Sequence, residues 1–283
     1  MRVKMIAMDL DGTLLKDDKT IDTMTKDRLM RAKEMGIILV IATGRDKGGV
    51  EYVSETLRLE DGGNHYMAGV NGQIIYSYKD KEVTLDKVLD GQDARNVMKI
   101  AQKYRCECIC CCGYDNYNLI SPSLRFTKKL RSMLIGKPMD YGMNAGKRNF
   151  IRIRTSDHEI TQDVNKIILT QSASHIKKYL KHIREELSDY EILRIGSGWI
   201  EVMPKGVSKG SSLLHIARMN GIEKEEILAF GDAENDLSMM YAIPHGVAMG
   251  NAMDSVKEAA WKVCDSNERS GIAKMLDACI FTK

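Results

Sequence analysis

The first apolar stretch of this 283-residue chain, carrying Val3, Met5, Ile6 and Ala7, ends in Met8-Asp9-Leu10-Asp11-Gly12-Thr13. Two carboxylates therefore stand where a buried strand runs out into a loop, the place where open α/β sheets bind ligands. An ionised carboxylate beside an apolar core is costly unless it is paired or bound to a cation. An ordinary Asp-Gly turn is the local alternative for Asp11-Gly12. A second segment of the same form, Gly231-Asp232-Ala233-Glu234-Asn235-Asp236, follows the short apolar run Ile227-Leu228-Ala229-Phe230. If the two runs are neighbouring strands of one parallel sheet, Asp9 and Asp232 converge on one hard cation with oxygen ligands, as Mg²⁺ prefers.

The early pattern alternates: strand 3–9, helix 22–35 ended by Gly36, strand 37–42, helix 46–59 and strand 65–70. That order predicts an α/β fold with a doubly wound, Rossmann-like parallel sheet. Asn71-Gly72 between two apolar runs signals a hairpin that turns Gln73–Tyr78 back beside its neighbour. From about residue 85 the pattern changes. Helix 92–104 shows Val97, Ile100, Ala101 and Tyr104 on one face, and helix 174–187 shows Ile176, Tyr179, Leu180, Ile183 and Leu187. Strands 106–112, 117–121, 149–155, 190–196 and 199–203 complete a separate α+β unit. The expected domains are thus a core of 1–84 and 205–283 and an inserted cap of 85–204. Lys209 then opens a helix from Ser208 to Asn220 that Gly221 stops.

A net charge of +3, with no basic stripe beyond Lys128-Lys129-Leu130-Arg131, lacks the footprint of a nucleic-acid binder. No apolar run is long enough to span a bilayer, and Asp9 interrupts the first one too early for an export signal, so the expected location is the cytoplasm. Cys106, Cys108, Cys110, Cys111 and Cys112 crowd one segment. Their alternation suits a strand in which cysteine serves as a small apolar residue, whereas zinc sites separate their cysteine pairs by a loop.

Four short strings occur in order: Asp9-Leu10-Asp11-Gly12-Thr13-Leu14, Ile41-Ala42-Thr43-Gly44-Arg45, Lys205-Gly206-Val207-Ser208-Lys209-Gly210, and Gly231-Asp232 through Asn235-Asp236. With them the chain resembles the haloacid dehalogenase superfamily, and within it the Cof-like sugar-phosphatase branch with its IIB-type cap. The resemblance implies a Mg²⁺-dependent phosphatase of small phosphorylated metabolites, sugar phosphates or related cofactors. In that reading Asp9 is the nucleophile that becomes an aspartyl-phosphate. The ion is held by Asp9, the backbone carbonyl of Asp11 and Asp232.

The carboxylate of Asp11, expected to point the same way as that of Asp9, is the general acid and then the general base. The resemblance further implies that Leu10 through its amide, Thr43, Gly44, Lys209 and Asn235 bind the phosphoryl oxygens, and that Asp236 supports Lys209 or the metal shell. Locally, Thr43 also reads as a helix cap and Lys209 as a surface lysine in the unfavourable first turn of a helix. Lys205 competes with Lys209, and Arg45 has no assignment.

The inserted unit is expected to set specificity by closing over the phosphate site. Leu124–Asn149, read as a loop, is its candidate substrate-facing element, with solvated basic residues as the alternative. Trp199 is a candidate for stacking on a sugar, though packing under the cap is the preferred reading. A phosphomutase on the same scaffold, or a non-catalytic phosphometabolite-binding protein, are the alternative functions, and the assembly is expected to be a monomer or homodimer.

Overall fold

The structure is a computed structural model and describes residues 2–85, 87–136 and 149–281. It divides into two compact units, residues 1–86 with 207–283, and residues 87–206.

The first unit begins with β1 (Met5–Met8), α1 (Thr23–Glu34), β2 (Ile38–Ala42), α2 (Glu51–Thr56), β3 (Tyr66–Gly69), β4 (Ile74–Ser77) and β5 (Val83–Leu85). The inserted unit contains α3 (Gly91–Lys103), β6 (Glu107–Cys112), β7 (Asp115–Leu119), α4 (Pro122–Ile135), β8 (Asn149–Ile153), β9 (Lys166–Thr170), α5 (Ala173–Glu186), β10 (Tyr190–Gly196) and β11 (Trp199–Pro204). The first unit then resumes with α6 (Lys209–Met219), β12 (Ile227–Gly231), α7 (Leu237–Ala242), β13 (Gly246–Ala248), α8 (Asp254–Ala259), β14 (Lys262–Val263) and α9 (Gly271–Leu276).

Among the described residues, the first unit's sheet runs β14-β13-β12-β1-β2-β3-β4-β5. The strands from β14 to β3 are parallel, and β4 and β5 are antiparallel additions. β1 lies between β12 and β2, with Met8 opposite both Phe230 and Ile41. All residues of β1 and β12 are buried, as expected of parallel strands covered on both faces. Asp9, Thr43 and Asp232 therefore leave the sheet at one edge. Helix α6 starts there because the Ser208 side chain accepts from the Ser211 backbone N–H while Ser211 answers the Ser208 N–H.

The inserted unit's sheet runs β10-β11-β9-β6-β7-β8. Cys106, Cys108, Cys110 and Cys112 pack on one face with the apolar stripes of α3 and α5, while Cys111 packs on the other with Ile109, Ile168 and Trp199. Every cysteine is a free thiol, which agrees with an apolar role in the strand. Trp199 is a packing residue of this unit, as preferred from the sequence, and its indole N–H also points to Glu201.

Several elements differ from expectation. The helix expected over 46–59 is a 3₁₀ turn at Lys47–Val50 followed by the short α2. Gly48-Gly49 lowers helix propensity there. The expected loop Leu124–Asn149 is helical as far as Ile135, capped by Ser121 with Pro122 at the first position, and 137–148 lie outside the described residues. Lys128 on this helix pairs with the buried Glu107 at 2.6 Å, so one basic residue of the segment is a structural tether. Strand β9 carries too short an apolar run to stand out by periodicity, and β5 is an exposed edge. Among the described residues no helix is long and apolar enough to cross a membrane.

Candidate active site

Strand β1 ends at Met8, and Asp9 continues the pairing by donating its N–H to the Phe230 carbonyl at 3.0 Å. Its carboxylate is almost fully buried, and Oδ1 lies 2.6 Å from Nζ of Lys209. The same ammonium lies 2.6 Å from Asp236 Oδ1. Lys209 is completely buried, so the sequence alternative of a surface lysine is excluded, while Lys205 reaches the Ser188 carbonyl of the inserted unit. The unfavourable position of a cation in the first turn of α6 is offset by two carboxylates at contact distance. Burial alone lowers the affinity of Lys209 for its proton, but Asp236 and Asp9 outweigh it and hold the group firmly charged.

Asp236 is itself fully buried, and its Oδ2 accepts from the backbone N–H groups of Asp232 and Ala233 at 2.9 and 3.0 Å. It therefore ties Lys209 to the turn that carries Asp232. Oxygens of Asp9, Asp232 and Asp236 lie within 4.8 Å of one another. Burial raises the Asp9 carboxyl to about 7, with Lys209 opposing and Asp236 and Asp232 reinforcing the rise. Burial likewise raises Asp232 to about 6, against a hydrogen bond from Thr13.

These donors suit a hard divalent ion: closely spaced carboxylate oxygens at a strand edge, with no sulfur or imidazole among the three acids. Asp236 already serves Lys209 and two backbone amides, which leaves Asp9 and Asp232 as the better side-chain ligands. The loop after Asp9 is shaped to Asp232. Gly12 has φ +82°, and a Cβ there would lie 2.5 Å from Asp232 Oδ2, so a side chain is excluded on both counts. Thr13 Oγ1 donates to Asp232 Oδ1 at 2.7 Å.

Asp11 lies beyond the end of β1, and the two-residue alternation applies only within a strand. The Asp11 carboxylate is exposed and stands outside the group formed by Asp9, Asp232 and Asp236. Arg45 grips it through Nε and Nη2 at 2.9 and 2.6 Å, and Lys19 Nζ adds a contact at 2.8 Å. Burial pushes the Asp11 carboxyl up, but Lys19 and Arg45 outweigh it and hold the group below the ordinary carboxylate range. Arg45, unassigned from the sequence, is thus the partner of Asp11 and also donates to the Gly49 carbonyl.

Thr43 is buried at the end of β2, where its hydroxyl accepts from the Arg45 N–H at 3.1 Å, the capping contact foreseen as its local alternative. Its carbonyl accepts from Asn71 N–H at 2.9 Å. Leu10 is buried, and its carbonyl accepts from Leu15 N–H at 2.9 Å to close the turn after β1. Gly44 faces Asn71, whose Oδ1 would lie 3.2 Å from a Cβ at that position. Asn235 donates its amide to the same Asn71 Oδ1 at 3.0 Å.

Sequence reasoning treated Asn71-Gly72 as a hairpin turn, and β3 and β4 do form that hairpin, with Gly69 opposite Ile74. The turn is nevertheless buried and has a second task. Asn71 sits at φ 55°, and a side chain on Gly72 would collide with the Ser208 carbonyl at the start of α6. The available signal was that Asn71 and Gln73 are the sole polar side chains in the short link between the two apolar strands, and both are buried.

A family profile described as haloacid dehalogenase-like hydrolase matches residues 6–276. Among curated proteins, the chain is 27% identical over 286 residues to a 5-amino-6-(5-phospho-D-ribitylamino)uracil phosphatase of Bacillus subtilis, covering 96% of each chain. It is 27% identical over 283 residues to the pyridoxal phosphate phosphatase of Escherichia coli, covering 98% of each. Among solved structures, a haloacid dehalogenase-like hydrolase from Bacteroides thetaiotaomicron matches with a TM-score of 0.71 and 26% identity, covering 98% of this chain and 99% of that one. The match embraces every segment that builds the cluster around Lys209, and the chain is a phosphatase of the haloacid dehalogenase-like hydrolase family.

Proposed function

We propose that this phosphatase hydrolyses phosphate monoesters of small metabolites through an aspartyl-phosphate on Asp9, with Mg²⁺ as its cation. The observation that carries the reading is the buried chain Asp9–Lys209–Asp236, which fixes one carboxylate at the end of the central strand. A phosphate monoester is a dianion that hydrolyses very slowly without help, so a catalyst must supply a nucleophile, offset charge and protonate the leaving group. A divalent ion held by Asp9, the Asp11 carbonyl and Asp232 would lower the repulsion between carboxylate and phosphate dianion.

With Oδ1 engaged by Lys209, Oδ2 of Asp9 attacks phosphorus, and the bond from phosphorus to the ester oxygen breaks. The departing oxygen takes a proton from Asp11, which must first part from Arg45 and Lys19 and become protonated, because those contacts hold it as a carboxylate. Water then attacks phosphorus, its proton passes to the Asp11 carboxylate, and the bond between phosphorus and Asp9 breaks to release inorganic phosphate. The contacts of Asp11 with Arg45 and Lys19 favour the carboxylate form, the one that receives the proton of water. Lys209 offsets charge on the phosphoryl oxygens, joined by the Leu10 amide, the Thr43 hydroxyl and the space beside Gly44. Asn235 has a second amide hydrogen beyond the one given to Asn71, and that hydrogen is its phosphate donor.

The substrate class is supported by relatives named for two chemically different phosphorylated small molecules, a ribitylaminouracil phosphate and pyridoxal phosphate. Selection among leaving groups is assigned to the inserted unit, 85–204 in the sequence reading. Free thiols at all its cysteines suit a reducing compartment such as the cytoplasm. The test is inorganic phosphate release from a panel of phosphorylated metabolites with Mg²⁺ and with EDTA. Release from at least one small monoester, abolished by EDTA, supports the proposal; release from none, or equal release in EDTA, overturns it.

A further inference from the structure

The two acid-bearing strand ends are also joined from a side that the four sequence strings do not touch. The loop after β13 donates the backbone N–H of Met249 to the Gly231 carbonyl at 3.0 Å and that of Met253 to the Asp232 carbonyl at 2.9 Å. Between them Asn251 reaches across to the other strand end, its Nδ2 donating to the Gly12 carbonyl at 2.7 Å. Asn251 is oriented in turn, because its Oδ1 accepts from the Asn267 backbone N–H at 3.1 Å. Asn267 is buried, and its own Nδ2 donates to the Leu15 carbonyl at 3.0 Å. Two asparagines thus hold the first and last carbonyls of Gly12–Leu15: Asn251 from the loop bonded directly to the residue pair Gly231-Asp232, and Asn267 from the turn after β14.

We propose that Asn251, oriented by Asn267, is a positioning residue for the cation site: it sets the distance between the Asp11–Gly12 turn and Asp232. The inference rests on the metal-dependent reading given above. Gly12 lies so close to the Asp232 carboxylate that a small displacement of its peptide changes the space between the donors. Thr13 passes the same displacement to Asp232 through its hydroxyl. Asn251 is exposed, and a solvated side-chain hydrogen bond adds little to stability, so its consequence is geometric. Partners of metal ligands, as distinct from the ligands themselves, commonly change metal affinity by about 10- to 100-fold when removed.

The test uses the full chain with MgCl₂ as the probe and two readouts. One is the Mg²⁺ concentration giving half-maximal hydrolysis of p-nitrophenyl phosphate, with kcat and KM measured at saturating Mg²⁺. The other is the rise in unfolding temperature that Mg²⁺ produces without substrate. Asn251→Ala is expected to raise the half-saturating Mg²⁺ about 10-fold, to shrink the Mg²⁺-induced thermal shift, and to leave KM at saturating Mg²⁺ within about twofold. Asn251→Asp keeps the acceptor for Asn267 and loses the donor to Gly12, so it should show the same defect even if the alanine variant folds poorly. A wild type that responds to Mg²⁺ while both variants match it within twofold in both readouts overturns the inference alone. A wild type with no response to Mg²⁺ in either readout overturns the metal-dependent reading and this inference with it.

Discussion

The ammonium of Lys209 lies 2.6 Å from Asp9 Oδ1, although the two residues are 200 positions apart, one following the end of β1 and the other opening α6. Neither has an alternative partner in water, because Lys209 is wholly buried and Asp9 nearly so. Removing one member of a buried charge set leaves the others uncompensated, at a cost of about 3–5 kcal/mol. Lys209→Met is therefore expected to lower stability by about that amount and to abolish turnover. Adding Asp236→Asn should recover much of the stability and none of the turnover, as read by chemical denaturation and phosphate release. Equal stability of Lys209→Met and wild type would contradict the burial of the charge set.

Asp232 is the side chain that Gly12 and Thr13 are shaped to meet. Asp232→Asn should keep the Thr13 contact through its amide oxygen and lose the charge. We expect the fold to persist, with turnover reduced by at least about 100-fold at a Mg²⁺ level that saturates the wild type. A Mg²⁺ titration superposing on that of wild type would remove Asp232 from the cation site.

Asn71 holds Asn235, the proposed phosphate donor, and its left-handed backbone allows its roles to be separated. Asn71→Gly keeps the φ 55° conformation available while deleting the amide that holds Asn235. It should raise KM about 10-fold through weaker phosphate binding, an effect of one hydrogen bond to a charged group, with little change in unfolding temperature. Asn71→Ala adds backbone strain and should be the less stable of the two. Competitive inhibition by inorganic phosphate, unchanged in Asn71→Gly, would contradict this role.

His65 makes stability depend on pH away from the catalytic cluster. Its Nδ1 accepts from the Leu39 N–H at 3.1 Å, and burial, aided by the charge of Lys33, pushes the group down from 6.5 to about 4. The unfolded chain then binds this proton more readily than the folded one, so its share of stability is present above pH 6.5 and is lost as pH falls toward 4. The slope from this group is at most about 1.4 kcal/mol per pH unit. A carboxamide cannot titrate but retains an acceptor, so His65→Asn should flatten the stability profile over that interval. Identical profiles for variant and wild type would refute the assignment.

Much of the candidate site is legible in the sequence because Asp9, Thr43 and Asp232 each follow a short apolar strand. The runs ending at Met8, Ala42 and Phe230 announce parallel neighbours, and their register brings Asp9, Thr43 and Asp232 to one edge. Lys209 could be suspected from its awkward place in a first helical turn, which only burial beside carboxylates explains. The partners lying between these segments were not legible. Arg45 on Asp11, Asn71 on Asn235 and Thr13 on Asp232 are side-chain contacts spanning up to 219 positions, and periodicity carries no record of them. The partners of Asp11 were not legible either, because the two-residue strand rule carries no information past the end of β1. In the inserted unit, α4 was hidden by its basic and glycine-flanked surroundings, although Ser121-Pro122 is a good helix start.

The identity of the nucleophile is the point on which the account depends. Wild type and Asp9→Asn should be mixed with a turnover substrate and Mg²⁺, quenched in acid within the first turnovers, digested and analysed by mass spectrometry. The account predicts one added phosphoryl group on the wild-type peptide containing Asp9, absent from the variant, which also releases no phosphate. Wild-type turnover in Asp9→Asn, or a phosphoryl group trapped on another residue, would contradict it.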